Sequence, residues 1–216
     1  MASLHAARFS SAHLLNEREA AEVADHVARA ERGTAGEIVV VLAERSAGHE
    51  RQRAAFSFAF TLFLAVGTYS FAPAIPALWI LCGQAPAMVL AWWITGLPPV
   101  FRAIVPAAVQ AAAVKARAEQ LFIEEGVTET RERSGVLLYL SEAEHRVELL
   151  ADRGIHERVG AETWQRLVDE VVTGIRTGHA MEGIVKAVDA IGASLAQHFP
   201  PSSDDVNELS NAPRRV

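Results

Sequence analysis

The residues best suited to chemistry stand together at the end of a predicted strand, in the run Asp152-Arg153-Gly154-Ile155-His156. Strand ends often carry binding sites, and a carboxylate with an imidazole close by can bind a metal ion or a phosphate. A structural interpretation competes with this one, because Asp152 can accept hydrogen bonds within a turn while Gly154 adopts a positive φ. We favour the structural interpretation and keep Asp152 and His156 as candidate ligands.

Further carboxylates flank the predicted strands, at Glu37, Glu142 and Glu144. A hard cation such as Ca²⁺ needs several oxygen ligands that converge, which spacing along a chain does not establish. The candidate metal ligands are therefore Asp152, Glu37, Glu144 and His156. The sequence has no phosphate-binding loop, dinucleotide fingerprint, nucleophile elbow or zinc-protease helix. We expect no cofactor, with a divalent cation such as Ca²⁺ as the alternative, and the catalytic residues stay unknown.

The elements that must position these residues form an α/β pattern. Apolar residues recur at helical spacing after Asn16, which with Glu19 forms a capping-box sequence, and Gly33 ends that helix. Continuous apolar runs predict buried strands, and alternation predicts a third strand joined to the second by a hairpin. The order predicts a mixed β-sheet flanked by helices. The predicted strands are 37–42, 135–140 and 145–150, and the later helices are 103–124, 164–175 and 181–195.

A long uncharged stretch interrupts this pattern. Residues 54–101 contain no Asp, Glu, Lys, Arg or His. A membrane span needs roughly 20 apolar residues, so the stretch supplies two spans and a turn. We place the spans at 54–71 and 77–97 with the turn at 72–76. A turn at 83–86, or a helical pair buried in a soluble core, is the less favoured alternative.

The charges beside this hairpin predict its orientation. Arg45, Arg51 and Arg53 precede it, the turn has no charge, and the residues that follow it include Arg102, Lys115 and Arg117. The positive-inside rule then places both termini in the cytoplasm, with the hairpin in the plasma (inner) membrane. Neither span holds an ionisable group that could relay protons or counter a substrate charge, so the hairpin is expected to be an anchor and not a transporter.

The overall composition excludes some classes of partner and compartment. The net charge of −6 without a long basic run argues against nucleic acid. The single cysteine, Cys82, cannot form an internal disulfide, and the first residues do not resemble a signal peptide. The excess of Arg over Lys suggests a GC-rich bacterial genome. After Pro200-Pro201 the chain is polar, so 200–216 is predicted to be a disordered tail. Within it, 204–209 is either a docking peptide or, as we favour, solvated disorder.

Three segments carry a resemblance to a known family: 134–140, then 144–155, with 36–41 upstream. Together with Trp164 and the paired helices after it, they resemble the TPM domain, in particular bacterial membrane proteins with a hydrophobic hairpin inside that domain. The resemblance implies a mixed sheet between helices. It also implies a link to phosphatase activity and photosystem repair, known for a plant thylakoid relative, and to divalent cations held by acidic residues in some members. Those members carry paired acids before the strand that begins at Gly135, where this chain has Thr-Arg-Glu-Arg at 130–133.

From these observations we expect a discontinuous cytoplasmic TPM-like domain, 1–53 and 102–199, interrupted by a transmembrane helical hairpin, 54–101. The expected function is a membrane-anchored binding or assembly module. Its partners would be the lipid bilayer and another membrane or cytoplasmic protein. The alternative function is a metal-assisted phosphatase of the TPM type that uses Asp152 and neighbouring acids.

Overall fold

The computed structural model describes residues 15–156, 158, 164, 166, 169, 172, 173, 179–201 and 207–216. Two compact units make up the chain: the first comprises Met1–Ala47 and Ala111–Val216, and the second is Gly48–Gln110. The strands are β1 Glu37–Ala43, β2 Gly135–Ser141, β3 Arg146–Ala151 and β4 Arg214–Arg215. The helices are α1 Glu17–Glu31, α2 Glu50–Phe71, α3 Ala77–Thr95, α4 Pro98–Ile104, α5 Ala107–Glu124, α6 Arg153–His156 and α7 Ala180–His198, with a short 3-10 helix at Val127–Glu129.

The sheet of the first unit is mixed and has the strand order β3-β2-β1-β4. β1 and β2 are parallel, in register from Glu37 opposite Gly135 to Ala43 opposite Ser141. β2 and β3 form the antiparallel hairpin predicted from their sequence. Every residue of β1 and β2 is buried, as their continuous apolar runs predict. The expected α/β class, a mixed sheet flanked by helices, is confirmed.

Alternation along β1 divides the core into two layers. Ile38, Val40 and Leu42 belong to a cluster that includes residues of α1 and α7. Val39 and Val41 face the opposite way and belong to a cluster with residues of α5. Successive strand residues point to opposite faces, so a strand covered on both sides must be apolar throughout. α1 begins at the predicted cap, where Asn16 and Glu19 form a complete capping box.

The second unit contains two helices, α2 and α3, that are long and apolar enough to cross a membrane. They contact each other through small or polar residues that are buried, including Ser57, Thr61 and Ala91. Large apolar side chains point outward, and Phe71 is 91% exposed. α4 and α5 are together long and apolar enough to cross a membrane, but only if the bent pair is counted as one span. The core of the first unit contains Val114, Ala118 and Leu121 of α5. We therefore assign no membrane span to α4 and α5.

Prolines rule out one predicted turn and shift two predicted helix boundaries. Pro86 lies inside α3, so the alternative turn at 83–86 is wrong. Pro98 and Pro99 do not simply end the second span but form the first turn of α4, where a missing N–H costs nothing. The helix predicted for 103–124 is divided before Pro106, because a residue that precedes proline avoids the helical region. Val105 accordingly has extended backbone angles.

The end of the chain differs from the predicted disordered tail. Residues 207–216 lie against the sheet, and β4 pairs in parallel with Val41 and Leu42 of β1. Part of the predicted tail, 202–206, lies outside the described residues, as does most of the predicted helix 164–175. The predicted helix 181–195 is present within α7. The sequence predicted disorder for 207–216 because backbone pairing and ion pairs with distant residues leave no periodic pattern in the sequence.

Candidate functional site

The structure places the predicted site residues at opposite ends of the sheet. Glu37 is the first residue of β1, and Asp152 follows β3, whose last residue Ala151 lies opposite Val136 at the start of β2. Glu144 lies in the turn between β2 and β3, at the other end. A strand of seven residues such as β1 is about 20 Å long at roughly 3.3 Å per residue. Glu144 therefore does not join Glu37 and Asp152 in one site.

Asp152 organises the start of α6. Its Oδ1 accepts a hydrogen bond of 2.6 Å from the Arg153 backbone N–H, and its own N–H donates to the Gly135 carbonyl at 2.9 Å. Arg133 Nη1 lies 3.6 Å from Oδ2, forming an ion pair. These contacts agree with the structural interpretation of Asp152. The side chain of His156 lies outside the described residues, so its candidacy as a ligand stays a prediction.

Gly154 has a different role from the expected one. Among the described glycines, only Gly126 has a positive φ. Gly154 lies within α6 and is needed for space, because a Cβ there would come within 2.8 Å of the Glu132 and Arg133 carbonyl oxygens. Those carbonyls belong to the segment that precedes β2. The glycine thus permits close packing of α6 on that segment.

Glu37 binds the end of the chain. Its Oε1 accepts a hydrogen bond of 3.0 Å from the backbone N–H of Glu208. The Glu208 carboxylate in turn accepts from the Arg131 backbone N–H at 3.1 Å and lies 3.5 Å from the Arg131 guanidinium. The segment 130–133 is therefore one place where this chain holds its 207–216 segment.

Glu144 closes the opposite end of the sheet. Its carboxylate is fully buried and accepts from the Ser46 backbone N–H at 3.1 Å and from the Ser141 hydroxyl. The Ser46 hydroxyl is 2.8 Å from the Tyr139 hydroxyl. Burial raises the pKa of Tyr139, and the hydrogen bond with Ser46 opposes that rise only in part. The phenol therefore stays neutral at physiological pH, and the cluster connects the loop after β1 to the β2–β3 hairpin.

The described residues do not fit a divalent cation. Among the described part of the chain, no three His, Cys, Asp or Glu side chains come together in a group that could hold a metal ion. Ca²⁺ takes six to eight oxygen ligands, and Zn²⁺ needs at least three protein ligands. The carboxylates of Glu37, Glu144 and Asp152 instead accept hydrogen bonds from the protein. We derive no metal-dependent step from them.

A small cavity of about 210 Å³ lies beside the β1–β4 pair. Leu15 and Leu42 supply apolar walls, and Val216 lies at its edge. Glu44, Glu142 and Arg215 contribute charged groups to the lining.

The residues that sequence reasoning missed are those that hold the 207–216 segment. Arg131, Glu125 and Arg214 had no motif to mark them, since each pairs with a residue far away in the sequence. One signal was present: the interpretation of 204–209 as a docking peptide includes Glu208 and Leu209, and both contact the first unit. The polar composition of 200–216 favoured disorder over a docking peptide.

Comparison with known proteins agrees with this architecture. Residues 100–194 match the family model described as the TPM domain. No curated protein matches the chain. Among solved structures, the chain is similar to the NMR structure of the BA42 protein from the psychrophilic bacterium Bizionia argentinensis, with a TM-score of 0.60 and 20% identity over 94% of this chain and 95% of that chain. At that identity the likeness shows the fold alone. Residues 100–194, which include α5, β2, β3 and most of α7, therefore match the TPM domain, and the similar solved structure shares the fold of the chain.

Proposed function

We propose that the α2–α3 hairpin anchors this TPM domain in the bacterial plasma (inner) membrane, and that the domain acts as a cytoplasmic binding or assembly module. One observation carries the proposal. The hairpin exposes apolar side chains on both helices, whereas the candidate metal-ligating carboxylates Glu144 and Asp152 are engaged in structural contacts. The chain therefore offers a membrane anchor, and its described residues include no group of three His, Cys, Asp or Glu side chains that could hold a metal ion.

The internal hydrogen bonds of the hairpin suit a hydrocarbon environment. A polar group in the bilayer core must find a partner within the protein. The Thr61 hydroxyl donates to the Ser57 carbonyl at 3.0 Å, and the Thr68 hydroxyl donates to the Leu64 carbonyl at 2.8 Å. The Gln84 amide donates to the Ile80 carbonyl at 3.2 Å. Because residues 54–101 contain no Asp, Glu, Lys, Arg or His, an anchor is a better interpretation than a transporter.

The base of the hairpin supports a cytoplasmic location for the flanks. Arg51 and Arg53 begin α2, and Arg102 follows α3, at the same end of the hairpin. Arg53 donates to the Trp92 carbonyl at 2.9 Å and lies 4.4 Å from the Trp92 ring centroid. This cation neutralises carbonyl oxygens at the C-terminal end of α3. The positive-inside rule places this end, and with it both termini, in the cytoplasm.

Reporter fusions test the topology. We expect a reporter at the C-terminus and a reporter inserted in the turn at Ala74 to give opposite signals for cytoplasmic and periplasmic location. A third fusion before Glu50 should match the C-terminal one. Signals from the same side at Ala74 and at the C-terminus would overturn the membrane-spanning hairpin.

A second experiment separates a binding module from a phosphatase. Photo-crosslinking in native membranes should join the domain to a membrane or cytoplasmic protein. A generic phosphate ester should not be hydrolysed by the purified full chain with Ca²⁺ or Mg²⁺ present. Cation-dependent hydrolysis that is lost in Asp152→Ala, and kept in the control Glu22→Ala at an exposed position of α1, would establish the alternative, a metal-assisted phosphatase of the TPM type.

A further inference from the structure

The base of the α2–α3 hairpin carries an excess of positive charge. The second unit, Gly48–Gln110, contains one acidic residue, Glu50, and three arginines: Arg51, Arg53 and Arg102. The arginines lie in the first turn of α2 or follow α3, so they belong to the same end of the hairpin. Trp92 and Trp93 lie in the last turn of α3 at this end. Tryptophan side chains are typical of the headgroup level of a membrane.

Arg53 is held in one position at this end. Its Nη2 donates to the Trp92 carbonyl at 2.9 Å, and its guanidinium lies 4.4 Å from the Trp92 ring centroid. Gly96 leaves room for this arrangement, because a Cβ there would come within 2.9 Å of the same Nη2. A planar guanidinium that is stacked on an aromatic ring is pre-organised, so it loses little side-chain entropy when it binds an anion.

The charge of Arg53 has no carboxylate partner in the described part of the chain. Glu50 lies one turn earlier in α2 and does not form an ion pair with it. The C-terminal end of α3 supplies only about half a negative charge. At the edge of a hydrocarbon core such a cation needs an anion, and lipid phosphates are the anions present there. Guanidinium groups bind phosphate through parallel N–H donors.

We propose that Arg53, stacked on Trp92, binds the phosphate of an anionic phospholipid at the base of the hairpin. This inference rests on the proposed membrane anchor, because it requires that α2 and α3 span a bilayer. A lipid with a net negative headgroup fits the base better than a zwitterionic lipid does. The ammonium group of a zwitterionic headgroup is repelled by the net positive charge of the base, whereas an anionic headgroup is attracted throughout. The hairpin is therefore an anchor that selects its lipid.

Native mass spectrometry of the full chain tests this site. The chain is purified in neutral detergent micelles and titrated with phosphatidylglycerol, or with phosphatidylethanolamine of the same acyl chains. We expect a single phosphatidylglycerol to be retained at about tenfold lower lipid concentration than phosphatidylethanolamine. Millimolar inorganic phosphate should not displace it, because the acyl chains add apolar contacts with the hairpin. Equal retention of the two lipids, or complete displacement by inorganic phosphate, would overturn an anionic phospholipid as the ligand.

Matched variants separate a defined site from diffuse attraction between charges. Arg53→Gln should abolish the preference for phosphatidylglycerol. Gly96→Ala keeps every charge but displaces the Arg53 guanidinium, so it should lower the preference several-fold. Arg51→Gln removes the same charge from an exposed position two residues earlier, which faces another side of α2, and it should keep the preference. An equal loss in Arg51→Gln and Arg53→Gln would overturn a defined site at Arg53.

Reporter fusions and circular dichroism keep this inference distinct from the proposed anchor. Opposite reporter signals at Ala74 and at the C-terminus, without a lipid preference in the wild type, would overturn the lipid site and leave the anchor intact. Signals from the same side would overturn the anchor and the lipid site with it. If Arg53→Gln does not retain the wild-type circular dichroism, Gly96→Ala decides. An unchanged lipid preference in Gly96→Ala would then overturn the role of Arg53.

Discussion

At the scale of single residues, Glu144 is a fully buried polar group whose loss should cost stability. Its buried carboxylate accepts from Ser46 and Ser141, so Glu144→Ala leaves both donors unsatisfied at the end of the sheet. A buried donor without a partner costs about 1–3 kcal/mol. We expect Glu144→Ala to lower the free energy of unfolding of the full chain by about 1–3 kcal/mol for each donor that finds no other partner. The denaturation midpoint in detergent micelles measures it, with the exposed Glu132→Ala as the matched control, which should differ little from wild type.

Glu148 predicts how stability depends on pH. Burial raises the pKa of Glu148, Lys115 and Arg146 oppose that rise, and the carboxylate of Glu119 adds to it. A carboxyl whose pKa is higher in the folded state stabilises the protein while it is protonated, and that contribution is lost as the pH rises through the folded pKa. We therefore expect Glu148→Gln to raise the melting temperature relative to wild type at pH 7–8.

The advantage of Glu148→Gln should vanish at pH values below the ordinary carboxyl pKa, near 4, where both proteins carry a neutral side chain. Thermal melts across this range measure the difference. Glu119→Gln removes a like charge and should give a smaller gain of the same sign. A gain that is as large at pH 4 as at pH 8 would contradict burial of the charge as the cause.

At the scale of elements, the hairpin has little spare hydrophobicity. Leu64 lies near the middle of α2 with its side chain 40% exposed. An arginine at the centre of a span costs about 2.5–3.5 kcal/mol on insertion scales, against a gain of about 0.3–0.6 for leucine. We expect Leu64→Arg to shift much of the protein out of the membrane fraction or into degradation, as measured by fractionation and immunoblotting. The control Ile123→Arg, on an exposed site of α5, should leave insertion unchanged.

At the scale of the whole molecule, both core clusters are built without the second unit. Their described residues all lie before Ala47 or after Ala111, so the sheet buries its apolar faces with α1, α5 and α7. We expect that replacing Gly48–Gln110 by a short Gly/Ser linker leaves a water-soluble protein that unfolds cooperatively. Circular dichroism and a melting curve measure this. A product that remains unfolded or aggregated would mean that the hairpin completes the core.

The sequence determined the elements of this fold because their signals are local. The apolar run of β1, the capping box at Asn16 and the uncharged stretch 54–101 each depend on residues that are near in sequence. Burial on two faces requires continuous apolar residues, and a bilayer excludes charges, so both environments can be recognised from local composition. The mixed sheet with flanking helices and the two apolar helices followed from these patterns.

Only the tertiary structure decided which side chains meet. Glu37, Glu144 and Asp152 look alike in sequence, each a carboxylate beside a strand, yet the parallel register of β1 and β2 separates Glu144 from the other two by the length of the sheet. The 207–216 segment likewise could not be predicted from local sequence. Its polar composition predicts disorder, but Glu125 and Arg131 hold it in place through ion pairs. Pairings between residues far apart in sequence depend on the topology of the fold, and they cannot be predicted from the spacing of residues along the chain.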